Sequence, residues 1–207
     1  MTGRDTVARR PTVLALTRNT GGFYHGALLL GLIREVSRAG GRVVVAKTRD
    51  PSDSRFDRLP AQPFFPVAWD QVDGIVVESL SVESAYLERA KAEGKHLVLA
   101  SHHVEGLDVP CALPDNGGGI RAAVAHLVAH GHTRIGFVGP ADQQDFRERH
   151  EAYRAALAEH GLAADDALYV TVPNYSRASG THAAGELLAR ATRPTAVVTA
   201  TDNNAMG

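Results

Sequence analysis

Residues Gly74–Ala100 read GIVVESLSVESAYLERAKAEGKHLVLA. The stretch opens with the short β-branched run Gly74-Ile75-Val76-Val77 and closes with a second apolar run, Leu97-Val98-Leu99-Ala100. Between them Ser81–Glu93 reads as a helix. Ser81 stands as its cap, acidic Glu83 suits the positive end of the helix dipole, and Gly94 ends it. Strands that are apolar at nearly every position suit a parallel sheet covered on both faces. A strand-helix-strand unit is therefore predicted here.

The same alternation continues in both directions. Upstream, Thr12–Thr17 is a β-rich run. Tyr24–Ala39 carries Leu28, Leu29, Leu32, Ile33 and Val36 at helical spacing, Gly40-Gly41 closes it, and Arg42–Lys47 is the next strand. Downstream, helices are expected over Asn116–His130, Phe146–His160 and Arg177–Arg190. Strands are expected over Arg134–Val138, Tyr169–Val172 and Thr195–Thr199. Pro51, Pro60, Pro63 and Pro66 make Asp50–Trp69 irregular. Residues Asp202–Gly207 read as the opening of one more helix. The fold class is α/β, a parallel sheet sandwiched by helices. In such folds ligands bind beyond the C-terminal ends of the strands. The informative segments are thus Arg18–His25, Thr48–Asp53, Glu78–Leu80, Ser101–Glu105, Gly139–Arg149, Pro173–Arg177 and Thr201–Asn203.

Composition narrows the function. The 207 residues include 22 Lys+Arg and 23 Asp+Glu, a formal net charge of −1, so the chain lacks the positive field of a free-standing nucleic-acid binder. Cys111 is the single cysteine, which excludes an internal disulfide and a multi-cysteine zinc module. No stretch approaches the ~18 apolar residues of a membrane span. The apolar run after Arg9-Arg10 is too short for a signal peptide, so no membrane association and a cytoplasmic location are expected.

Several constellations invite chemistry. Gly117-Gly118-Gly119-Ile120-Arg121-Ala122 contains a G-x-G-x-x-A string, but it lies deep in the chain and lacks a well-placed acidic partner. The better reading is a helix start capped by Asp115 or Asn116. His126, His130 and His132 form H-x-x-x-H-x-H without a following Glu or nearby Cys, so no metal site is expected there. Ser101-His102-His103 follows a strand, and no G-x-S-x-G elbow exists; hydrogen bonding to a polar ligand suits Ser101 and His102 better than catalysis. Within Phe146–Tyr153, one Arg aimed at a cleft suits a bidentate grip on ligand oxygens, whereas Arg147, Glu148 and Glu151 read as a solvated charge ladder. Phe23, Tyr24, Trp69 and Tyr175 fall in loops or at helix starts. Their faces suit sugars and nucleobases, although Phe23 or Tyr24 serves equally as a hydrophobic staple, and Trp69 better as packing under the Pro-rich loop.

Taken in order, Asp115-Asn116-x-x-Gly119, Ala122, His126-Leu127, Gly131-His132-x-x-Ile135 and Gly139 resemble the signature of LacI/GalR-type effector-binding domains, which share the type I periplasmic-binding-protein fold. Arg149-x-x-Ala152-Tyr153 resembles that family's Arg-x-x-Gly-aromatic. Val72-Asp73-Gly74-Ile75-Val76 and Pro194-Thr195-Ala196-Val197…Thr201-Asp202…Ala205-Met206-Gly207 resemble two further family segments. The resemblance runs from about Pro11 to the end.

The resemblance implies two α/β lobes joined by a hinge and clamping a small ligand. It divides the chain into a tail (1–10), an N-terminal lobe (11–113) and a second lobe (114–207). It implies Arg149 as the central ligand clamp, Tyr175 as a stacking aromatic and Asp202 as an acceptor of ligand hydroxyls. Asn19, Phe23, Tyr24, His25, Ser101, His102 and Thr201 stand at the other ligand-facing positions. Thr201 replaces the family's usual Asn, and Ser101-His102 its usual Asp-Arg. The expected protein is a sensor that binds a sugar, polyol or nucleoside-like effector, without catalytic residues, metal or cofactor. It is expected to be a homodimer and to reach DNA only through a domain outside this chain. No helix-turn-helix fits before Pro11, and the second lobe is expected to be cut short, with fewer strands and an exposed edge. An extracytoplasmic solute-binding protein and an enzyme on a doubly wound fold are the alternatives.

Overall fold

The computed structural model describes residues 10–48, 68–79 and 81–207. Most of the irregular Asp50–Trp69 stretch lies outside the described residues. Contacts divide the chain into two units, Met1–Pro114 and Asp115–Gly207.

The first unit is built on a five-stranded sheet of β1 (Thr12–Thr17), β2 (Arg42–Lys47), β3 (Gly74–Glu78), β4 (Leu97–Ala100) and β5 (Cys111–Ala112), in the order β2-β1-β3-β4-β5. Every pairing is parallel; Val13 sits opposite both Val43 and Gly74, and Ile75 opposite Leu97. Leu14, Leu16, Ile75, Val77, Leu97 and Leu99 form the buried centre, as continuous apolar strands in a parallel sheet require. Helix α1 (His25–Arg38) follows β1 and helix α2 (Ser84–Ala92) follows β3.

Local details correct the sequence reading. Helix α2 begins at Ser84 after Glu83, and Ser81 is not its cap. Ser81 instead donates its hydroxyl to the Leu16 carbonyl at 2.9 Å, tying the loop after β3 to β1. The loop expected above Trp69 lies outside the described residues, but Trp69 itself packs inward. It is buried against α2, its Nε1 donating to Tyr86 Oη at 2.6 Å with the rings edge to face, while Lys95 Nζ donates to its carbonyl. The two-residue strand β5 carries no hydrophobic run long enough to announce itself.

The second unit holds a three-stranded parallel sheet, order β7-β6-β8, of β6 (Ile135–Gly139), β7 (Tyr169–Thr171) and β8 (Ala196–Thr199). Central β6 is buried at all five positions. Val197 on the outer strand β8 stays exposed. Helices α3 (Asn116–Ala129), α4 (Gln144–Glu159), α5 (Arg177–Ala189) and the short α6 (Asp202–Ala205) surround the sheet. Ile120, Val124, Phe137, Phe146, Tyr153 and Leu157 pack as one core. Burial pushes the Tyr153 phenol up to about 12, and its hydroxyl donates to the Ile135 carbonyl at 2.6 Å. The G-x-G-x-x-A string lies within the first turns of α3. Asp115 caps α3 by accepting from the Gly118 N–H at 2.7 Å.

Candidate functional site

In a parallel sheet all strands end on one edge, so residues far apart in sequence line up there. In the first unit this edge carries Thr17 at the end of β1 and Asn19 after it, Thr48 after β2, Glu78 and Ser79 at the end of β3, and Ser101 and His102 after β4. Thr17 and Asn19 exchange hydrogen bonds through the Thr17 hydroxyl, and Asn19 Oδ1 accepts from the Gly21 N–H at 3.0 Å, which fixes the turn into α1. Tyr24 and His25, at the start of α1, reach back to this edge. Tyr24 Oη bonds Ser101 Oγ at 2.6 Å, and His25 Nδ1 lies 2.9 Å from Glu78 Oε1. Phe23 is exposed and joins neither contact.

The structure thus brings Tyr24, His25 and Ser101 together, and adds Glu78. Sequence reasoning placed Glu78 in a ligand-facing segment but gave it no role. The missed signal was a carboxylate ending a run of four apolar strand residues, where a charge is costly unless it is used. It is 6% exposed.

Two buried polar atoms on this edge have no hydrogen-bond partner among the described residues, Thr48 Oγ1 and His102 Nε2. The His102 ring is held by Nδ1, which lies 3.1 Å from the Ala100 carbonyl. Burial, reinforced by Arg18 and His103 and opposed by that backbone bond, lowers the pKa of His102 below its ordinary value. The ring is therefore neutral near pH 7. Since Nδ1 faces a carbonyl it carries the proton, and Nε2 presents a bare lone pair. Ser79 (φ 44°) and Ser101 (φ 65°) both sit in the left-handed region on adjacent strand ends. Such conformations are uncommon for residues with a side chain and concentrate at functional sites.

The second unit's edge is organised around Arg149. Its Nε donates to Asn116 Oδ1 at 2.9 Å, a terminal nitrogen donates to the Ala200 carbonyl at 2.5 Å, and the other lies 3.4 Å from Asp145 Oδ2. The guanidinium also approaches the Phe146 ring, 5.7 Å from its centroid. Asn116 in turn donates to Glu148 Oε2, and Gln144 donates to Glu148 Oε1. Glu148 is therefore part of a network rather than of a solvated ladder. Arg147 also departs from that reading, folding back onto the carbonyls of Ala141 and Asp142. Burial raises the pKa of Asp145 despite the Arg149 charge beside it.

Tyr175, after β7, is half-buried, its ring 6.3 Å from that of Phe146. Thr201 caps α6: its hydroxyl accepts from the Asn204 N–H at 3.3 Å and lies 3.0 Å from Asn204 Oδ1. Asp202 is exposed in the first turn of α6. His126 and His130 stand exposed on α3, and His132 Nδ1 lies 3.1 Å from Thr195 Oγ1. Among the described residues no group of three or more His, Cys, Asp or Glu is arranged to hold a metal ion. No helix among them is long and apolar enough to cross a membrane.

Parallel α/β units whose strand ends carry polar side chains define a class of ligand-binding folds. Residues 11–207 match the family model described as periplasmic binding proteins and sugar binding domain of LacI family, and the chain belongs to that family. It is 34% identical over 134 residues to the HTH-type transcriptional regulator GalR of Escherichia coli, covering 64% of this chain and 39% of that protein. It is 31% identical over 214 residues to the HTH-type transcriptional regulator CelR of Thermobifida fusca, covering 96% and 59%. Its fold is similar to the crystal structure of the transcription regulator CcpA of Lactococcus lactis, with TM-score 0.76 and 21% identity over 96% of this chain and 70% of that one. The chain spans less than two thirds of the length of these curated relatives.

Proposed function

We propose that this chain is the effector-sensing part of a LacI-type transcriptional regulator, binding a neutral polyhydroxylated molecule (a sugar, polyol or nucleoside-like compound) without turning it over. The observation that carries this reading is the row of polar groups at the C-terminal edge of the first sheet in a chain of this family. Glu78 Oε atoms, His102 Nε2 and Thr48 Oγ1 offer acceptors where ligand hydroxyls need them, and the buried carboxylate repels anionic ligands. Asn19, Phe23, Tyr24, His25 and Ser101 complete this side. Arg149, Tyr175, Thr201 and Asp202 are the proposed contacts of the second unit, where Arg149 supplies donors to ligand oxygens.

A ligand that binds one arrangement of the two units better than another shifts their population, and that shift is the proposed signal. The output is DNA binding through a domain outside this chain, in the cytoplasm. The proposed assembly is a homodimer through the first helix, in keeping with the exposed Leu28, Leu30 and Ile33 of α1.

Thermal-shift screening of sugars, polyols and nucleosides on the 207-residue chain tests the proposal. A true effector at a hundred times its Kd adds about 2.7 kcal/mol of stability. A screen in which no hydroxylated compound shifts the transition, or a hit that is chemically converted, overturns it.

A further inference from the structure

Asn204 is a polar side chain only 3% exposed, on a four-residue helix, where an apolar residue would bury more cheaply. Its bonds explain its presence. The Nδ2 group donates to the Ser176 carbonyl at 3.0 Å and to the Asn174 carbonyl at 3.4 Å, the two carbonyls that flank Tyr175. Its Oδ1 faces the Thr201 hydroxyl at 3.0 Å, and its backbone N–H donates to the same hydroxyl. Thr201 immediately precedes Asp202. One side chain therefore reaches the neighbours of two proposed ligand contacts that lie 27 positions apart in sequence.

The receiving loop is itself rigidified. Asn174 Oδ1 accepts from the Ser176 N–H at 2.9 Å and from the Ser179 hydroxyl at 2.8 Å, and the Ser176 hydroxyl caps α5. The backbone of Asn204 is fixed independently of its side chain. A methyl group added at Gly180 on α5 would come within 2.1 Å of the Asn204 carbonyl oxygen, so α5 and α6 meet at a contact only glycine permits. Helix α6 therefore stays docked by packing, and the amide of Asn204 is left to set the register between the 174–176 loop and the 201–202 turn.

We infer that Asn204 is a positioning residue that locks the Tyr175 loop to the Thr201-Asp202 turn, so that both reach an effector in one fixed arrangement. Its consequence for affinity rests on the proposed effector reading; its consequence for loop order does not.

The test is Asn204→Leu in the whole chain, with hydrogen exchange read peptide by peptide. Leu fills about the same space, so the variant should fold with only a modest fall in the unfolding midpoint, from the two part-buried loop carbonyls that lose their donor. Amides of residues 174–177 should exchange at least tenfold faster, while those of β6 stay protected. With a hit from the effector screen, affinity should fall about tenfold. Asn204→Asp sets an acceptor against the two carbonyls and should lose more affinity than Leu at neutral pH, with partial recovery on acidification as a protonated carboxyl regains a donor. Unchanged exchange at 174–177 in a folded Leu variant overturns the inference, whether or not an effector has been found. Should the Leu variant fail to fold, Thr201→Val removes the hydroxyl that orients Asn204 and must speed the same amides; if it does not, the inference falls. Faster exchange without any effector for the parent chain leaves the locking role standing and rejects the sensor reading instead.

Discussion

The two strand-end edges solve the problem of burying polar groups in opposite ways. In the first unit the edge keeps buried polar atoms unpartnered among the described residues, Thr48 Oγ1 and His102 Nε2, beside a buried carboxylate and two serines in left-handed backbone. In the second unit the edge is closed on itself. Arg149 is bonded to Asn116 and Ala200 and paired with Asp145, while Asn204 satisfies the carbonyls around Tyr175. Unpartnered buried groups cost stability, whereas satisfied networks give rigidity. Under the proposed function, the first edge offers open acceptors to an effector and the second presents its contacts from a preorganised network.

The sharpest way to break this contrast is Arg149→Ala. It strips the donor from Asn116 Oδ1 and the Ala200 carbonyl, and should cost about 2–3 kcal/mol in urea denaturation. With it, calorimetry should show effector affinity falling about a hundredfold, about 2.8 kcal/mol. Loss of affinity with undiminished stability would mean that the second edge is a recognising surface like the first. Next in size, Glu78→Gln keeps the shape of the side chain but removes its charge from the first edge. Affinity should drop about tenfold, about 1.4 kcal/mol, with little change in unfolding. An affinity gain for anionic sugars in this variant would confirm the carboxylate as the group that rejects them.

The smallest effect separates two histidines that look alike. Among the described residues, His102 and His150 both carry a buried Nε2 without a hydrogen-bond partner, and burial is the first cause of the lowered pKa of each. His150, however, is stacked on Tyr169 with ring centroids 4.1 Å apart and packs against Phe137. Arg154 lowers its pKa further, while Asp166 and Glu151 oppose the shift. A lowered folded-state value means that the unfolded chain takes up the proton first, at about pH 6.5. The stability each neutral ring contributes is thus complete above that pH and lost as pH falls through the lowered folded value. His150→Phe should flatten the acid side of the stability profile and leave effector affinity intact, whereas His102→Phe should flatten it and weaken effector binding about fivefold, the loss of one neutral hydrogen bond. Equal losses of affinity would erase the distinction between a packing and a recognising histidine.

Much of this was legible in the chain itself. The runs Thr12–Thr17, Arg42–Lys47 and Leu97–Ala100 coincide with β1, β2 and β4, because short apolar runs set off by polar, proline or glycine residues leave few alternatives. The motif from Asp115 to Gly139 pointed to the family that residues 11–207 match. The site was legible only as a set of segments after strands. Sequence reasoning gives Glu78 no role, reads Glu148 as a solvated charge and passes over Asn204, because each looks ordinary beside its sequence neighbours: a strand end, a helix charge and a terminal helix position. The cap assigned to Ser81 failed for a related reason, since its hydroxyl found the Leu16 carbonyl, 65 positions away, instead of the helix beside it.

The sequence by itself determined the α/β alternation, the parallel character of the sheets and the family, because these follow from local hydrophobic pattern and spacing. Only the tertiary structure decided which polar groups are spent and which are held open. That choice depends on partners such as Tyr24 with Ser101, His25 with Glu78, Asn116 with Arg149 and Asn174 with Asn204, which lie 77, 53, 33 and 30 positions apart. Hydrogen bonds act over about 3 Å, and sequence proximity says nothing about which strand ends the sheet brings within that reach.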